Sequence, residues 1–286
     1  MRSLTPPYLV SAIVFFAIIF SVAVFVTQQI DSPAAVVLAP KLSVDASVPK
    51  LSAPVFRVFD IVTGEVLVSK DEKKVVPIAS VTKLFAAATL VASFNLQATA
   101  TVVFADLVGG GDAGKLAYGQ TFTYQNLLFP LLLESSNDAA STFVRTTGGE
   151  LLKKMNERAQ ALGASSTVFL DASGLSNGNV SSASDMQLLL TDAFLHQAHV
   201  FDITTLPQYI NHYTGWINNN PVAKEVGYRG GKHGYTTAAG RTIVAIFDEE
   251  VAGRTYTLGY ILFGSTDIVS DVATLRSFIT SSASKP

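Results

Sequence analysis

The chain has 286 residues, no cysteine, a formal net charge of −2 at pH 7 and 49% hydrophobic residues. This length and composition are sufficient for a globular domain with a sizeable core. The absence of cysteine excludes disulfides, thiol catalysis and cysteine-bound zinc. The slightly acidic charge, with no basic run, argues against nucleic acid as a partner.

The N-terminal segment is predicted to anchor the chain in a membrane. Tyr8 to Val26 is an apolar run without a charge, and at ~1.5 Å per residue a helix of this length crosses the ~30 Å core of a bilayer. A cleaved signal peptide is the alternative, but its apolar region is usually shorter and no small-residue cleavage site follows this run. Arg2 precedes the run and the next basic residue is Lys41, so we expect the amino end in the cytoplasm and the rest of the chain outside.

The remaining chain divides into a tether, one domain and a tail. Residues 1–30 contain the cytoplasmic end and the anchor, and residues 31–53 have the proline-, alanine- and serine-rich composition of a tether. Residues 54–280 are predicted to fold as a single domain. Residues 281–286 are predicted to be a disordered tail.

The domain is predicted to begin with a hairpin and an apolar helix. Two β-rich runs flank a turn at Thr63-Gly64, and a helix is expected from Ser80 to Phe94. Frequent glycines between residues 101 and 123 indicate loops and short strands that belong to a second lobe.

The centre of the domain is predicted to be helical, and its C-terminal part to return to strands. Apolar helices flank a polar break at residues 135–138, and amphipathic helices follow over 149–163 and 181–197. Two β-rich runs between residues 241 and 264 precede a last helix over 267–280. Strands at both ends of a domain with helices between them indicate an α+β fold whose terminal strands share one antiparallel sheet.

The stretch PIASVTKLFAA, Pro77 to Ala87, places a lysine in an apolar run one turn after a serine. Ser80 opens the helix, where the helix dipole favours an anion, and Lys83 lies on the same helix face. Burial and the dipole both disfavour the charged amine, so the pKa of Lys83 is expected to be low enough for it to accept the proton of Ser80. The ordinary alternative is a serine that only caps the helix.

Two further motifs make this signal more specific. The spacing S-x-x-K also occurs at residues 47–50 and 282–285, in the tether and the tail, where nothing buries the lysine. The spacing S-x-N occurs in the polar break at 135–137, and by chance within a helix at 93–95. The spacing K-x-G occurs once, at 232–234, ahead of a β-rich run.

Together these motifs resemble the trio S-x-x-K, S-x-N and K-T-G of penicillin-binding proteins. The chain resembles in particular the low-molecular-weight D-alanyl-D-alanine carboxypeptidases and endopeptidases of peptidase family S11. The similarity covers about residues 54 to 280 and includes FDIVTGEVLVSKDEKKVVPIASVTKL, YGQTFTYQNLLFPLLLESSNDAAS and GKHGYTTAAG. It implies the DD-peptidase and β-lactamase fold, in which N- and C-terminal strands form an antiparallel sheet flanked by helices, beside a mainly helical lobe.

The resemblance also implies the catalytic residues. Ser80 attacks the carbonyl between two D-alanines of a peptidoglycan stem peptide and forms an acyl-enzyme, with Lys83 as its base. Ser135 relays a proton toward the leaving amine, and Asn137 binds the substrate backbone and Lys83. The charge of Lys232 helps to keep Lys83 neutral. β-Lactams are expected to be covalent inhibitors, and no cofactor is implied.

The resemblance assigns further residues to substrate binding. The amides of Ser80 and Tyr235 form the oxyanion hole. Gly234 and Thr236 contact the substrate. Arg254 falls where the family commonly has an arginine near the terminal carboxylate, with a solvated arginine at a strand end as the alternative.

His233 departs from the family pattern. The family usually has threonine or serine at this position, whose hydroxyl helps to hold the terminal carboxylate of the substrate. Histidine also donates a hydrogen bond, but it is larger and titrates near pH ~6.5. A changed preference, toward cleavage of cross-links, is one hypothesis. The other is a penicillin-binding-like protein with weak catalysis and a binding or regulatory role.

Two other functions remain open at this point. A serine β-lactamase is disfavoured, because residues 171–182 lack the glutamate that class A enzymes use for deacylation. A surface interaction domain with chance motifs is the last alternative. No metal site is expected, because His196 and His199 have no third ligand near them in the sequence. The motifs do not separate carboxypeptidase from endopeptidase activity, and the oligomeric state stays open.

Overall fold

A five-stranded antiparallel sheet forms the centre of the fold. The computed structural model describes residues 43–44, 48–107 and 114–284. In chain order the strands of this sheet are β1 (Val55–Asp60), β2 (Val66–Lys70), β3 (Tyr228–Thr236), β4 (Gly240–Val251) and β5 (Arg254–Ser265). Their spatial order is β3-β4-β5-β1-β2, with every neighbouring pair antiparallel. N- and C-terminal strands therefore meet inside one sheet, and the predicted α+β arrangement is confirmed.

Helices pack against both faces of the sheet. Their bounds are α1 (Thr82–Ser93), α2 (Tyr124–Leu133), α3 (Asn137–Thr146), α4 (Glu150–Ala161), α5 (Ala183–His196), α6 (Ala198–Thr205) and α7 (Ile268–Ser282). Four short antiparallel ladders complete the described part: Ser43–Val44 with Ala283–Ser284, Val76–Pro77 with Val180–Ser181, Thr99–Thr101 with Thr121–Thr123, and Gln208–Ile210 with Gly215–Ile217.

The sheet is buried on both faces. In β4, Val244 and Ile246 pack against the helical lobe, whereas Ile243 and Phe247 pack under α7. Successive side chains of a strand point to opposite faces, so a sheet covered on both sides needs apolar residues at consecutive positions. This explains why the C-terminal strands appear in the sequence as continuous apolar runs.

Strand β3 is an element that the sequence analysis did not predict. Its glycines lower β propensity, yet the structure requires them. A Cβ atom on Gly230 would lie 2.6 Å from the hydroxyl oxygen of Thr204, and one on Gly231 would lie 2.2 Å from the carbonyl oxygen of Val244. The glycines let β3 pass close to α6 and β4, and they place Lys232 at the edge of the sheet.

Residues near both predicted ends of the domain make specific contacts. Asp271, in the first turn of α7, accepts hydrogen bonds from the hydroxyl of Ser52 at 2.7 Å and the amide of Ala53 at 2.9 Å. Residues 43–44 pair with residues 283–284. Parts of the segments interpreted as tether and tail thus contact the domain.

The predicted membrane anchor, Tyr8 to Val26, lies outside the described residues, as does most of the predicted tether. Among the residues that the structure describes, no helix combines the length and apolar character needed to cross a bilayer.

Candidate active site

Ser80 lies in a single 3₁₀ turn, Ala79–Val81, that leads directly into α1. Two hydrogen bonds hold the backbone of Ile78, two residues before Ser80. The amide of Ile78 donates to the carbonyl oxygen of Asn179 at 3.0 Å, and the carbonyl of Ile78 accepts from the hydroxyl of Thr242 at 2.9 Å. Ala79 has a left-handed φ of +48°, which is costly for a residue with a Cβ and is maintained by surrounding structure. The fold therefore determines the position of Ser80.

Two glycines allow other segments to approach the Ser80 backbone closely. A Cβ atom on Gly174, whose φ is +83°, would lie 1.9 Å from the carbonyl oxygen of Ala79. A Cβ atom on Gly234 would lie 2.4 Å from the amide nitrogen of Ser80. Glycine at both positions brings one loop and strand β3 against the predicted nucleophile, and the amide of Tyr235 follows directly after this contact.

Lys83 is buried within the site. Its side-chain nitrogen lies 3.0 Å from the hydroxyl oxygen of Ser80, 2.8 Å from Asn137 Oδ1 and 2.6 Å from the carbonyl oxygen of Ser173. A neutral amine has two N–H donors and one lone pair. The two carbonyl-type oxygens accept both donors, which leaves the lone pair for the O–H of Ser80.

The electrostatics of the site favour this neutral amine. Burial lowers the pKa of Lys83 well below its usual value, and the charge of Lys232 lowers it further, while Asp171 opposes the change. Burial also lowers the pKa of Lys232, to about 7. Lys232 donates to the carbonyl oxygen of His233 at 2.8 Å. The two lysines are thus close enough to interact electrostatically, and desolvation is the main cause of the lowered pKa of Lys83.

The S-x-N segment contributes three different functions. Asn137 reaches Lys83, as predicted. Ser136, to which the sequence analysis gave no role, caps α3 by accepting from the amide of Ala139 at 3.1 Å. Ser135 is half-buried with a left-handed φ of +63°, and its hydroxyl makes no hydrogen bond to the part of the chain that the structure describes. The position of Ser135 beside Asn137 leaves this hydroxyl available for a substrate.

The loop over residues 171–179 is organised by one carboxylate. Asp171 Oδ1 accepts from the amides of Ser173 and Gly174 at 2.7 Å and 2.5 Å, and Oδ2 accepts from the amide of Ser176 at 2.7 Å. Burial alone would raise the pKa of Asp171, but these hydrogen bonds together lower it. This role of Asp171 was not predicted from the sequence, although the Asp, Ser, Gly and Asn content of the loop is typical of side chains that build turns.

The remaining predicted substrate contacts lie on or near β3, with one exception. The hydroxyl of Thr236 accepts from the amide of Ala239 at 3.1 Å, which stabilises the turn after β3. Arg254 is paired with Val251 at the opposite end of β4. Val251 is seven residues from Val244, the partner of Lys232, so at ~3.3 Å per residue Arg254 is about 23 Å along the sheet from this lysine. The assignment of Arg254 to carboxylate binding is therefore wrong.

The arginine that the structure does place at this end of the sheet is Arg241. It opposes Tyr235 in the register of β3 and β4, and its guanidinium lies 5.7 Å from the centre of the Tyr235 ring. No function was predicted for Arg241 from the sequence. Only the pairing of β3 with β4 brings it beside the K-x-G motif.

Comparison with known proteins agrees with this geometry. The family model described as D-alanyl-D-alanine carboxypeptidase, peptidase S11, matches residues 43–252. The chain belongs to peptidase family S11. Among its relatives, the D-alanyl-D-alanine carboxypeptidase DacB2 of Mycobacterium tuberculosis is 31% identical to this S11 chain over 207 residues, which are 69% of the chain and 71% of the relative. A D-alanyl-D-alanine endopeptidase of Pseudomonas aeruginosa is 30% identical over 195 residues, which are 64% of the chain and 63% of the relative.

Solved structures share the fold of this S11 chain. The D-alanyl-D-alanine carboxypeptidase of M. tuberculosis H37Rv superposes with a TM-score of 0.75 at 28% identity, over 82% of this chain and 93% of that structure. Penicillin-binding protein D2 of Listeria monocytogenes, in its cefotaxime-bound form, superposes with a TM-score of 0.73 at 25% identity, over 82% of this chain and 99% of that structure. The α+β DD-peptidase fold and a serine hydrolase function agree with the resemblance seen in the sequence.

Proposed function

We propose that this chain is a serine DD-peptidase that hydrolyses D-alanyl-D-alanine-type bonds of peptidoglycan stem peptides through an acyl-enzyme. One observation carries the assignment of the residues: the amine of Lys83 is buried and lies within hydrogen-bond distance of the hydroxyl of Ser80 and of two carbonyl-type oxygens. When the amine is neutral, those two oxygens accept its N–H groups and its lone pair is left for the O–H of Ser80. This is the arrangement that activates a serine without a histidine.

The acylation step follows from these contacts. Ser80 Oγ bonds to the carbonyl carbon of the scissile amide as its proton moves to Lys83 Nζ. The negative charge on the carbonyl oxygen lies at the amino end of the 3₁₀ turn and α1, next to the amides of Ser80 and Tyr235. The C–N bond then breaks as Ser135 gives its hydroxyl proton to the leaving amine and takes up in turn the proton that Lys83 received from Ser80. The neighbouring Lys232 disfavours the ammonium form of Lys83 and so promotes this transfer.

Deacylation completes the reaction by hydrolysis of the ester. Water adds to the ester carbonyl, the Ser80 oxygen leaves with a proton, and the product carboxylate is released. Asp171 is the carboxylate of the adjacent loop, and its oxygens already accept hydrogen bonds from that loop. It is poorly suited as a base for water. We therefore expect a long-lived penicilloyl enzyme rather than rapid β-lactam hydrolysis.

Labelling with a fluorescent penicillin tests the catalytic residues. The wild type is expected to be labelled stably at Ser80. Ser80→Ala abolishes labelling, and Lys83→Arg lowers its rate about 10²- to 10⁴-fold, because the guanidinium stays protonated. Ser93→Ala, in the chance S-x-N copy, and Lys153→Arg, on an exposed face, serve as controls. Unchanged labelling of Ser80→Ala would refute the proposal, and rapid release of hydrolysed drug would favour a β-lactamase.

Defined substrates separate the remaining candidates. Incubation with monomeric pentapeptide and with cross-linked muropeptides, followed by mass spectrometry, distinguishes loss of D-alanine from cleavage of cross-links. A protein that is labelled at Ser80 but turns over neither substrate is the binding or regulatory protein considered from the sequence. No oligomeric state is part of this proposal.

The location proposed for the domain rests on the apolar run Tyr8 to Val26. We expect an uncleaved single-pass anchor with the amino end in the cytoplasm and the peptidase domain on the outer side of the cytoplasmic membrane. Expression of the full chain in bacteria, followed by fractionation and protease treatment of spheroplasts, checks this. Recovery of the full-length protein in the cytoplasmic fraction would contradict it.

A further inference from the structure

Asn179 lies at the end of the loop beside the site and is fully buried. Its Oδ1 accepts from the amides of Leu170 and Asp171 at 2.7 Å and 3.1 Å. Its Nδ2 lies 3.0 Å from the carbonyl oxygen of Asp171 and 3.2 Å from the hydroxyl oxygen of Thr82. A side-chain amide has two N–H donors and one carbonyl oxygen, so the fold uses both polar atoms of this side chain. None of the catalytic steps proposed above uses Asn179.

Asn179 contacts the chain on both sides of the nucleophile. Two residues before Ser80, the amide of Ile78 donates to the backbone carbonyl of Asn179. Two residues after Ser80, the hydroxyl of Thr82 accepts from the side chain of Asn179. One buried residue therefore constrains the turn that carries Ser80 at both of its ends.

The hydroxyl of Thr82 extends this contact to the backbone of the turn. It donates to the carbonyl oxygen of Ala79 at 2.8 Å, and because a hydroxyl has a single proton, its lone pairs are left for the N–H of Asn179. The carbonyl of Ala79 and the amide of Ser80 belong to one planar trans peptide group, in which they point in opposite directions. A hydrogen bond that fixes the Ala79 carbonyl therefore also fixes the Ser80 amide, a donor of the proposed oxyanion hole.

The side chain of Asn179 also fixes the start of the loop that orients Lys83. It forms hydrogen bonds with the backbone of Leu170 and Asp171, and the carboxylate of Asp171 accepts from the amides that follow. Within that loop, the carbonyl of Ser173 accepts from Lys83 at 2.6 Å. One asparagine thus connects the amide of the oxyanion hole with the carbonyl that directs the base.

We propose that Asn179 is a positioning residue of the reaction. Through Thr82 it fixes the Ser80 amide that stabilises the oxyanion, and through the loop it fixes the direction of the Lys83 amine. The inference rests on the proposed DD-peptidase function. It adds a residue that acts on the chemical step without contacting substrate, because the side chain of Asn179 is enclosed by protein. A displacement of about 1 Å at a reacting centre costs up to about 10²-fold in rate.

The acylation step tests the inference on the purified full chain. Stopped-flow acylation over a range of β-lactam concentrations separates the first-order rate constant of acylation from the dissociation constant of the initial complex. We expect Asn179→Ala to lower the rate constant about 10- to 100-fold and to leave the dissociation constant unchanged. Thr82→Val, which replaces the hydroxyl with a methyl group, lowers the rate constant about 10-fold. Thr82→Ser, which retains the hydroxyl, keeps most of the wild-type rate.

Two control variants separate positioning from a general loss of stability. Thr89→Val, also on α1, removes a hydroxyl that donates to the carbonyl of Phe85 at 2.8 Å. Asn218→Ala removes a side chain that bridges the carbonyls of Thr204 and Leu206. Both variants are expected to be less stable in urea and to keep the wild-type rate constant of acylation. A loss of rate in these controls equal to that in Asn179→Ala would overturn the inference.

A double-mutant cycle tests the connection between Asn179 and Thr82. Because the side chain of Asn179 acts in part through the Thr82 hydroxyl, the variant with both Asn179→Ala and Thr82→Val should lose less than the product of the two single losses. A combined loss equal to that product would show that the two residues act independently and would overturn this connection.

The outcomes separate this inference from the proposed function. A wild type that is not acylated would refute the DD-peptidase function itself. A wild type that is acylated, with Asn179→Ala reacting at the same first-order rate, would overturn only the role of Asn179. Circular dichroism identifies a variant that does not fold. If Asn179→Ala does not fold, Thr82→Val decides the test, and a wild-type rate constant in Thr82→Val overturns the inference.

Discussion

The carbonyl oxygen of Ser173 accepts a hydrogen bond from the side chain of Lys83 at 2.6 Å, although the two residues are 90 positions apart in the chain. This contact directs one N–H of the lysine away from Ser80. The orientation of the amine therefore depends on the conformation of the loop that contains Ser173.

Asp171→Asn is expected to weaken this loop and the reaction together. The carboxylate accepts several backbone hydrogen bonds, and replacing it should lower the free energy of unfolding by about 1–3 kcal/mol and slow acylation. Urea denaturation and penicillin labelling measure the two effects. Asp202→Asn, exposed on α6, is the control, and an Asp171 variant with wild-type acylation would contradict the role of the loop.

The same residue predicts a pH effect on stability. The pKa of Asp171 is lower in the folded chain than in the unfolded one, so its contribution is fully present above the unfolded value of ~3.9 and is lost as the pH falls through the folded value. The difference in unfolding free energy between wild type and Asp171→Asn should therefore shrink below about pH 4.

Asn137→Asp is expected to move the pH dependence of acylation. A carboxylate in contact with the amine favours its charged form, so the pKa of Lys83 rises, typically by about 1–3 units. The rate should then increase with pH over a higher range than in the wild type. Stopped-flow labelling across pH 5–10 provides the profile, with Asn95→Asp in the chance S-x-N copy as control. An unshifted profile would show that Lys83 is not the titrating base.

Lys232→Met is expected to abolish turnover and to stabilise the fold at neutral pH. Burial lowers the pKa of Lys232 to about 7, whereas the unfolded value is ~10.4. Between these values the unfolded chain binds more protons, so wild-type stability rises with pH by about 1.4 kcal/mol per unit. Removing the amine should therefore add on the order of a few kcal/mol below pH ~7 and little above pH ~10.4.

Thermal unfolding of both proteins at pH 6, 8 and 10 checks this prediction. Lys153→Met, which removes an exposed lysine of α4, should leave the curve unchanged. A variant that is less stable than the wild type at pH 6 would indicate that the ammonium of Lys232 is well solvated in the fold.

Gly174→Ala is expected to damage both stability and acylation. A left-handed alanine costs about 1–2 kcal/mol, and the overlap of its Cβ with the Ala79 carbonyl adds about 1–3 kcal/mol. Gly253→Ala is a matched control, because Gly253 has a φ of +76° with nothing within 4 Å of an added Cβ. Equal losses in the two variants, measured by urea denaturation, would show that the contact with Ala79 is not tight.

The elements that were predicted correctly depend on residues that are close together in the sequence. Ser80 and Lys83 share a helix face because three residues make almost one helical turn. The hairpin of β1 and β2 follows from two β-rich runs around a Gly-containing turn. Strand β3 was not predicted because its glycines reduce strand propensity. These glycines are needed because β3 passes close to Thr204 and Val244, and such a contact between distant segments leaves no local pattern in the sequence.

The positions of two arginines, Arg241 and Arg254, show what cannot be predicted from local sequence. Arg254 and Arg241 lie at opposite ends of one hairpin, and either is a plausible partner for a carboxylate in the sequence. Their positions differ in the fold because antiparallel pairing places residue 241 beside residue 235 and residue 254 beside residue 251.

By itself, the sequence determined the fold class, the order of the three motifs and the serine–lysine pair, since these depend on periodicity and on spacing within one helix. Only the tertiary structure decided which carbonyl orients Lys83, which carboxylate shapes the loop beside it and which arginine lies beside the K-x-G strand. Those contacts join residues from distant parts of the chain, and strand register and loop closure, rather than local propensity, bring them together.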